Sequence, residues 1–457
     1  MRDFTERSIM DNRSDKGDLT RGKVWKIIPS FVFPLLIGNL LQQTYNIVDS
    51  VIVGQFLGKE ALAAVSASFF IYYFIISLVI GIGSGITVVI SQYYGARQYA
   101  KVQQAFSSIL IFTVFAGLFL SIIGVVFAET FFRLTQTPED VIPGAVRYFR
   151  VFMGGTFIFI TLNSLFSVFR GMGDSRRPLF FIFITAALNV VLDILFIIVF
   201  KWDIEGVAFA TILAQTVGVV VSLIYLNKRH KLLSIKREDM KFVPALFLQG
   251  MKIGIPTSIQ QCSLSIGLLM LLGVVNIFGT DTLTAYGAAG KIDTLITQVI
   301  LTLSSAISAF CGQNIGAGAV SRVREGVRFA MLVNVVFTLT VFSLICFLGR
   351  EIMMIFTSDE SVISIGYDYL IIVGAVFILH GAMNVMNGAM RGAGDTLFAM
   401  ATGIVTFWLI RIPLAYFLSE RMGYKGIWWA ISISITIGFF ATSIYYLSGR
   451  WKKKFGE

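Results

Sequence analysis

The sequence predicts an all-α membrane protein of twelve transmembrane helices arranged as two parallel six-helix repeats. Three observations carry that prediction. Of the 457 residues, 56% are hydrophobic and only 14% charged, with a mean hydropathy of +0.80, which excludes a water-soluble core and is the profile of a chain crossing the bilayer many times. Twelve apolar segments are each long enough, at about 1.5 Å per residue, to cross a hydrocarbon slab of roughly 30 Å. The second half of the chain also restates the first at an offset of 221 residues.

The elements follow in order. Residues 1–25 form a polar N-terminal tail with Arg2, Arg7, Arg13, Lys16, Arg21 and Lys23, expected to be disordered for want of apolar side chains to bury. It has no apolar stretch of the signal-peptide kind, so the first span must itself direct insertion. The first repeat, residues 26–227, holds spans near 26–53, 61–93, 103–128, 145–169, 178–200 and 204–227. A linker rich in Lys and Arg occupies 228–243, and the second repeat, 244–448, holds spans near 248–278, 282–312, 326–348, 363–390, 396–418 and 424–448, followed by a basic tail, 449–457.

Charge sets the orientation. Loops on the side of the termini hold 27 of the 37 Lys and Arg residues and the opposite loops hold 8, with Lys291 and Arg411 inside spans. Because positive loops stay in the cytoplasm, both termini are expected there, in a cell (inner) membrane protein with an even number of spans. The net charge of +11 lies in these loops and not on one folded face, so no nucleic-acid partner is expected. Cys262, Cys311 and Cys346 all sit in apolar runs without paired spacing and indicate neither disulfides nor a metal site.

Several matches fall at one offset. Gly58, Leu62 and Ala64 answer to Gly279, Leu283 and Ala285; Gln92-Tyr93-Tyr94-Gly95-Ala96 to Gln313-Asn314-Ile315-Gly316-Ala317; Arg170-Gly171-Met172-Gly173-Asp174 to Arg391-Gly392-Ala393-Gly394-Asp395; and Asn163 to Asn384. Pro34 and Pro256 lie one residue off that register. Each repeat crosses six times, so both enter the membrane the same way and are related by an axis along its normal.

The polar residues that chemistry needs are few. Asp193 stands within the apolar run Leu179–Phe200, with Asn189 one turn earlier on the same face. Asp49 in the first span, Asp193 in the fifth and Thr211 in the sixth all fall within roughly 10 Å of the outer boundary at 1.5 Å per residue. A carboxylate inside a bilayer is costly and marks a substrate, ion or proton site more often than a packing position. Together these oxygens suit Na⁺, and two close carboxylates in a low dielectric would equally hold a proton; a purely structural polar cluster is the alternative. Gln42, Asn163, Gln260 and Asn384 are candidates for the substrate path, against helix-to-helix hydrogen bonding as the other reading. His380 could relay protons or simply pack.

No phosphate-binding loop is present, so an ion gradient must supply any transport energy, and no cofactor is expected beyond a coupling Na⁺ or H⁺. No catalytic cluster stands on the loops, so an enzyme is not expected. Gly81, Gly83 and Gly85 form a small-residue face suited to close helix approach.

The stretch Pro34…Gln42-Gln43-Thr44-Tyr45-Asn46-Ile47-Val48-Asp49-Ser50…Gly54…Gly58, the parallel repeats and the paired Arg-Gly-x-Gly-Asp loops together resemble the multidrug and toxic compound extrusion (MATE) family over nearly the whole chain. The resemblance implies a V-shaped pair of lobes around a central cavity. It implies export of organic, cationic or amphipathic small molecules by antiport with Na⁺ or H⁺, by a monomer in the lipid bilayer. Asp49, Asn189, Asp193 and Thr211 match the N-lobe cation site of the branch resembling the DNA-damage-inducible F proteins. The C-lobe carboxylates of the NorM-like branch are missing, since the 221 offset carries Asn189 and Asp193 onto Ile410 and Leu414. Lys291, Asp293 and Arg411 lie within C-lobe spans instead, where Asp293 and Arg411 could pair or the two cations could contact anionic groups. A lipid or polysaccharide flippase of the same broader superfamily is the competing function.

Overall fold

The computed structural model describes residues 17–455 except 136, 230, 231 and 234, so the greater part of the basic tail, residues 1–16, lies outside the described residues. Helices α1 (Val24–Ile52), α2 (Lys59–Gly95), α3 (Tyr99–Val126), α4 (Ala128–Leu134), α5 (Ile142–Gly154), α6 (Thr156–Gly171), α7 (Arg176–Ile194) and α8 (Ile204–Arg229) make the first lobe. The second is α9 (Pro244–Asn276), α10 (Gly279–Gly316), α11 (Val320–Met354), α12 (Glu360–Gly374), α13 (Phe377–Gly392), α14 (Leu397–Ile404), α15 (Ile412–Met422) and α16 (Tyr424–Leu447). Three π-helical stretches extend or join helices: Val53–Leu57 after α1, Leu195–Val199 after α7, and Val405–Arg411 between α14 and α15.

Ten spans are single helices long and apolar enough to cross a bilayer. The fourth and tenth are bent pairs among the described residues, α5 with α6 at 48° and α12 with α13 at 47°. The breaks fall at Gly154-Gly155 and just after Gly374, where the missing side chain lowers the cost of leaving the helix. Each pair counted as one span gives the expected twelve. The repetition of the bend at equivalent places in the two lobes is the internal repeat seen in three dimensions.

Helix faces without side chains bring the lobes together. A Cβ at Gly81 would lie 2.1 Å from Ser258 Oγ, and one at Gly85 would lie 2.2 Å from the Gly250 carbonyl oxygen, so α2 and α9 cross in near backbone contact, as the small-residue face of α2 predicts. Farther toward the side that carries both termini, α2 and α10 are tighter still. The Gly95 position faces the Gln313 carbonyl oxygen at 1.9 Å and the Gly316 position faces the Gln92 carbonyl oxygen at 1.9 Å. The two glutamines then bond across the pseudo-two-fold: Gln92 Nε2 donates to the Gly392 carbonyl and Gln313 Nε2 to the Gly171 carbonyl, each at 2.9 Å. Among the described residues, no hydrogen bond between the lobes lies farther from the termini side than Ser77 to Ser265 at mid-span. The lobes therefore close on the termini side and part on the other, forming the V.

Residues 17–23 correct one expectation. Among them Leu19 is packed, not disordered: it is 4% exposed, its N–H donates to Gln313 Oε1 at 2.9 Å and its carbonyl accepts from Asn314 Nδ2 at 3.2 Å. One apolar side chain and the Gln313 and Asn314 side-chain amides near the end of α10 hold a segment whose composition is otherwise polar.

The C lobe has its own core, in which Trp428 is fully buried, stacked on Tyr286 with ring centroids 5.6 Å apart and edge-on to Tyr369 at 4.9 Å. Trp428→Ala should destabilise the lobe by about 3–5 kcal/mol, seen as a lower thermal midpoint in detergent, while Trp428→Phe keeps most of the contact and shifts it far less. Equal midpoints for the two variants would show that the ring does not hold the core.

Candidate functional site

Helix periodicity places Tyr45 and Asp49 on one face of α1, Asn189 and Asp193 on one face of α7, and Thr211 and Gln215 on one face of α8. Packing of α1 and α8 against α7 then points the three faces at one another. Asp193 is 0% exposed, Asn189 3% and Thr211 7%. The Asp49 and Asp193 carboxyls lie close enough to act on one another, and Asn189 Nδ2 donates to Thr211 Oγ1 at 3.4 Å. That bond turns the Asn189 oxygen away from Thr211. Four buried oxygens here, Asp49 Oδ1, Asn189 Oδ1 and both of Asp193, have no hydrogen-bond donor among the described residues. Buried acceptors left in this state are expensive in a protein interior, and a cation or proton is the species that would satisfy them.

The structure thus brings together all four residues singled out from the sequence. It adds three that the sequence reading passed over. Tyr45 and Gln215 line the same cavity with Thr185, Asn189, Thr211 and Ala214; each stands four residues from a chosen ligand, so helical spacing could have found them. Tyr148, on α5, lies close enough to feel both carboxylates and had no sequence signal, because only the tertiary fold carries it there.

The substrate-path candidates sit elsewhere. Asn163 Nδ2 donates to the Phe159 carbonyl at 2.9 Å, Asn384 Nδ2 to the His380 carbonyl at 2.9 Å, and Gln260 Nε2 to the Ala399 carbonyl at 3.0 Å. Asn163 and Asn384 thus bond back one turn within their own helices, and of the three only Gln260 bonds between helices, α9 to α14. Gln42 remains beside Tyr45, at the inner edge of the carboxylate cluster.

In the C lobe, Asp293 and Arg411 do not form the ion pair considered from the sequence. Asp293 accepts from Tyr369 Oη at 2.9 Å and from Thr297 Oγ1 at 3.2 Å, while Arg411 Nε donates to Ser434 Oγ at 2.8 Å. Neutral hydroxyls have taken the places the two charges could have taken for each other. Lys291 is exposed, its Nζ 5.7 Å from the centre of the Phe356 ring. The paired turns are held differently: Arg177 reaches the Asp174 carboxylate, whereas Asp395 accepts from Tyr445 Oη at 2.7 Å. Gly173 and Gly394 adopt φ of 76° and 85°, which a residue with a side chain rarely takes.

Comparison with known proteins agrees with this architecture. The family model MatE matches twice, over residues 34–195 and 256–417, the two copies lying 222 residues apart as the Pro34 and Pro256 pair does. Over 95% of this chain and 97% of the relative, the sequence is 32% identical to a Bacillus subtilis (strain 168) protein described as probable multidrug resistance protein YpnP. It is 29% identical, over 95% of the chain and 96% of the relative, to probable multidrug resistance protein YoeA of the same organism. A solved structure described as the outward-facing conformation of a multidrug resistance MATE family transporter of the MOP superfamily superposes with a TM-score of 0.88, at 24% identity, over 97% of this chain and 100% of that one. With its twelve spans, its doubled repeat and a relative this similar along nearly its full length, the chain is a multi-pass membrane protein that belongs to the MatE family of transporters.

Proposed function

We propose that this chain is a secondary active exporter of organic small molecules, cationic or amphipathic, driven by inward movement of Na⁺ or H⁺ through Asp49, Asn189, Asp193 and Thr211. The observation that carries the reading is the set of four donor-less buried oxygens in the N lobe, on helices that belong to a transporter family. Asp49 and Asp193 supply the charge that holds the cation, Thr211 fixes Asn189, and Asn189 Oδ1 completes the oxygen set. Occupancy neutralises two mutually repelling carboxylates and so favours the lobe arrangement in which α1 and α7 pack most closely. The cation moves with the membrane potential, which contributes about 2.3 kcal/mol per charge per 100 mV, enough to bias a two-state carrier. The basic loops support a cytoplasmic termini side, and on that reading the V opens outward, the state from which substrate would leave and a cation enter.

The test is purified protein in proteoliposomes loaded with ethidium, with Na⁺ and H⁺ gradients imposed separately. Gradient-dependent dye movement with one cation supports the reading and names the ion. Dye flux indifferent to both gradients, or scrambling of labelled lipid in its place, overturns it.

A further inference from the structure

The C lobe holds a charged centre that cation coupling leaves unused. Arg411 closes the π-helical stretch Val405–Arg411 in mid-span. Its Nε bonds Ser434 and its guanidinium carbon lies 4.4 Å from the centre of the Phe407 ring. Among the described residues no carboxylate comes within 4.0 Å of it and its two terminal amino groups meet no protein acceptor; Asp293, the nearest acid, is held by Tyr369 and Thr297. Asp293, Tyr286, Tyr369 and His380 surround it at longer range. A guanidinium in a bilayer without a counter-charge is costly and marks a binding position more often than a scaffold.

Pseudo-symmetry gives the position its meaning. The two family-model matches begin at 34 and 256 and end at 195 and 417, one residue beyond the 221 offset of the intervening turns, and at that register Arg411 stands on Asn189. The same bond recurs, for Asn189 donates to Thr211 on α8 and Arg411 to Ser434 on α16. Where the N lobe presents oxygens lacking donors, the C lobe presents donors lacking acceptors. We propose that Arg411 is a substrate subsite for an anionic group, a carboxylate or a phosphate, on an amphipathic compound. A planar guanidinium receives either group through two parallel N–H bonds, and the partly exposed Tyr286 ring offers an apolar or aromatic body its contact surface. The inference rests on the transporter reading and extends its substrate range from cations to zwitterions and organic anions.

The experiment is equilibrium binding to the purified full-length protein in detergent, with carboxyfluorescein as the carboxylate probe, methylumbelliferyl phosphate as the phosphate probe and ethidium as the cationic control. Arg411→Gln should weaken one or both anionic probes at least tenfold, Arg411→Lys should recover part of the loss, and ethidium should change less than twofold. Asp293→Asn, which keeps the arginine and removes the nearest negative charge, should tighten the same probe severalfold, so a misfolded Arg411→Gln does not end the test. Unchanged anion binding in Arg411→Gln, equal losses for ethidium, no tightening in Asp293→Asn, or no anion binding by the parent would each overturn the proposal. Because binding needs no gradient, failure of the coupled-export reading would show separately, as absent flux with binding intact.

Discussion

Asp193→Asn is expected to abolish gradient-driven export, and Asp49→Asn to do the same, with neither variant less stable than the parent. Both Asp193 oxygens are buried and lack a protein donor, so nothing in the fold depends on the charge, whereas a coupling cation has no other full negative charges at that depth of the N lobe. Even changes one shell away from a bound metal cost about 10- to 100-fold in affinity, and loss of a ligand should cost at least that. Removing one of two facing buried carboxylates also relieves repulsion and desolvation, so the thermal midpoint should hold or rise. The measurement pairs dye flux with thermal unfolding at matched expression. A variant with full coupled flux would sink the cation site. Loss of flux together with a large fall in stability would instead mark the cluster as structural.

The second large effect is expected at the seam between the lobes. A Cβ added at Gly95 or Gly316 meets a backbone carbonyl of the opposite lobe at 1.9 Å, an atom that cannot rotate away as a side chain could. Gly95→Ala or Gly316→Ala must push α2 and α10 apart and lengthen the paired bonds of Gln92 and Gln313. Overpacking of this kind costs about 1–3 kcal/mol, a roughly 5- to 150-fold shift between the two lobe arrangements, away from the state closed on the termini side. Spin labels at Gln98 and Ala317, both exposed on that side, should report a longer distance and export should fall accordingly. An unchanged distance distribution would show that the glycines do not set the closed state.

Much of this was legible in the residues. Hydropathy registers transfer into lipid, so it located the spans, and the 221-residue echo showed that the lobes are copies. It registers nothing of axis direction, so the bends after Gly154 and Gly374 came only from the structure. The polar ligands were found because Asp193 stands alone in an apolar run, and Asn189 because one helical turn separates them. Tyr148 was beyond reach, since nothing along the chain ties α5 to the carboxylates of α1 and α7.

What the sequence determined by itself is what depends on neighbours along the chain: twelve spans, the doubled lobe, and oxygen donors at a common depth on the first, fifth and sixth spans. The tertiary structure alone decided which of those donors meet, that Leu19 and its neighbours pack onto Gln313 and Asn314, and that Asp293 and Arg411 take hydroxyl partners in place of each other. Periodicity gives a side chain's face on its own helix, but its partner depends on how neighbouring helices rotate and cross, and that is set by the packing of all their side chains together.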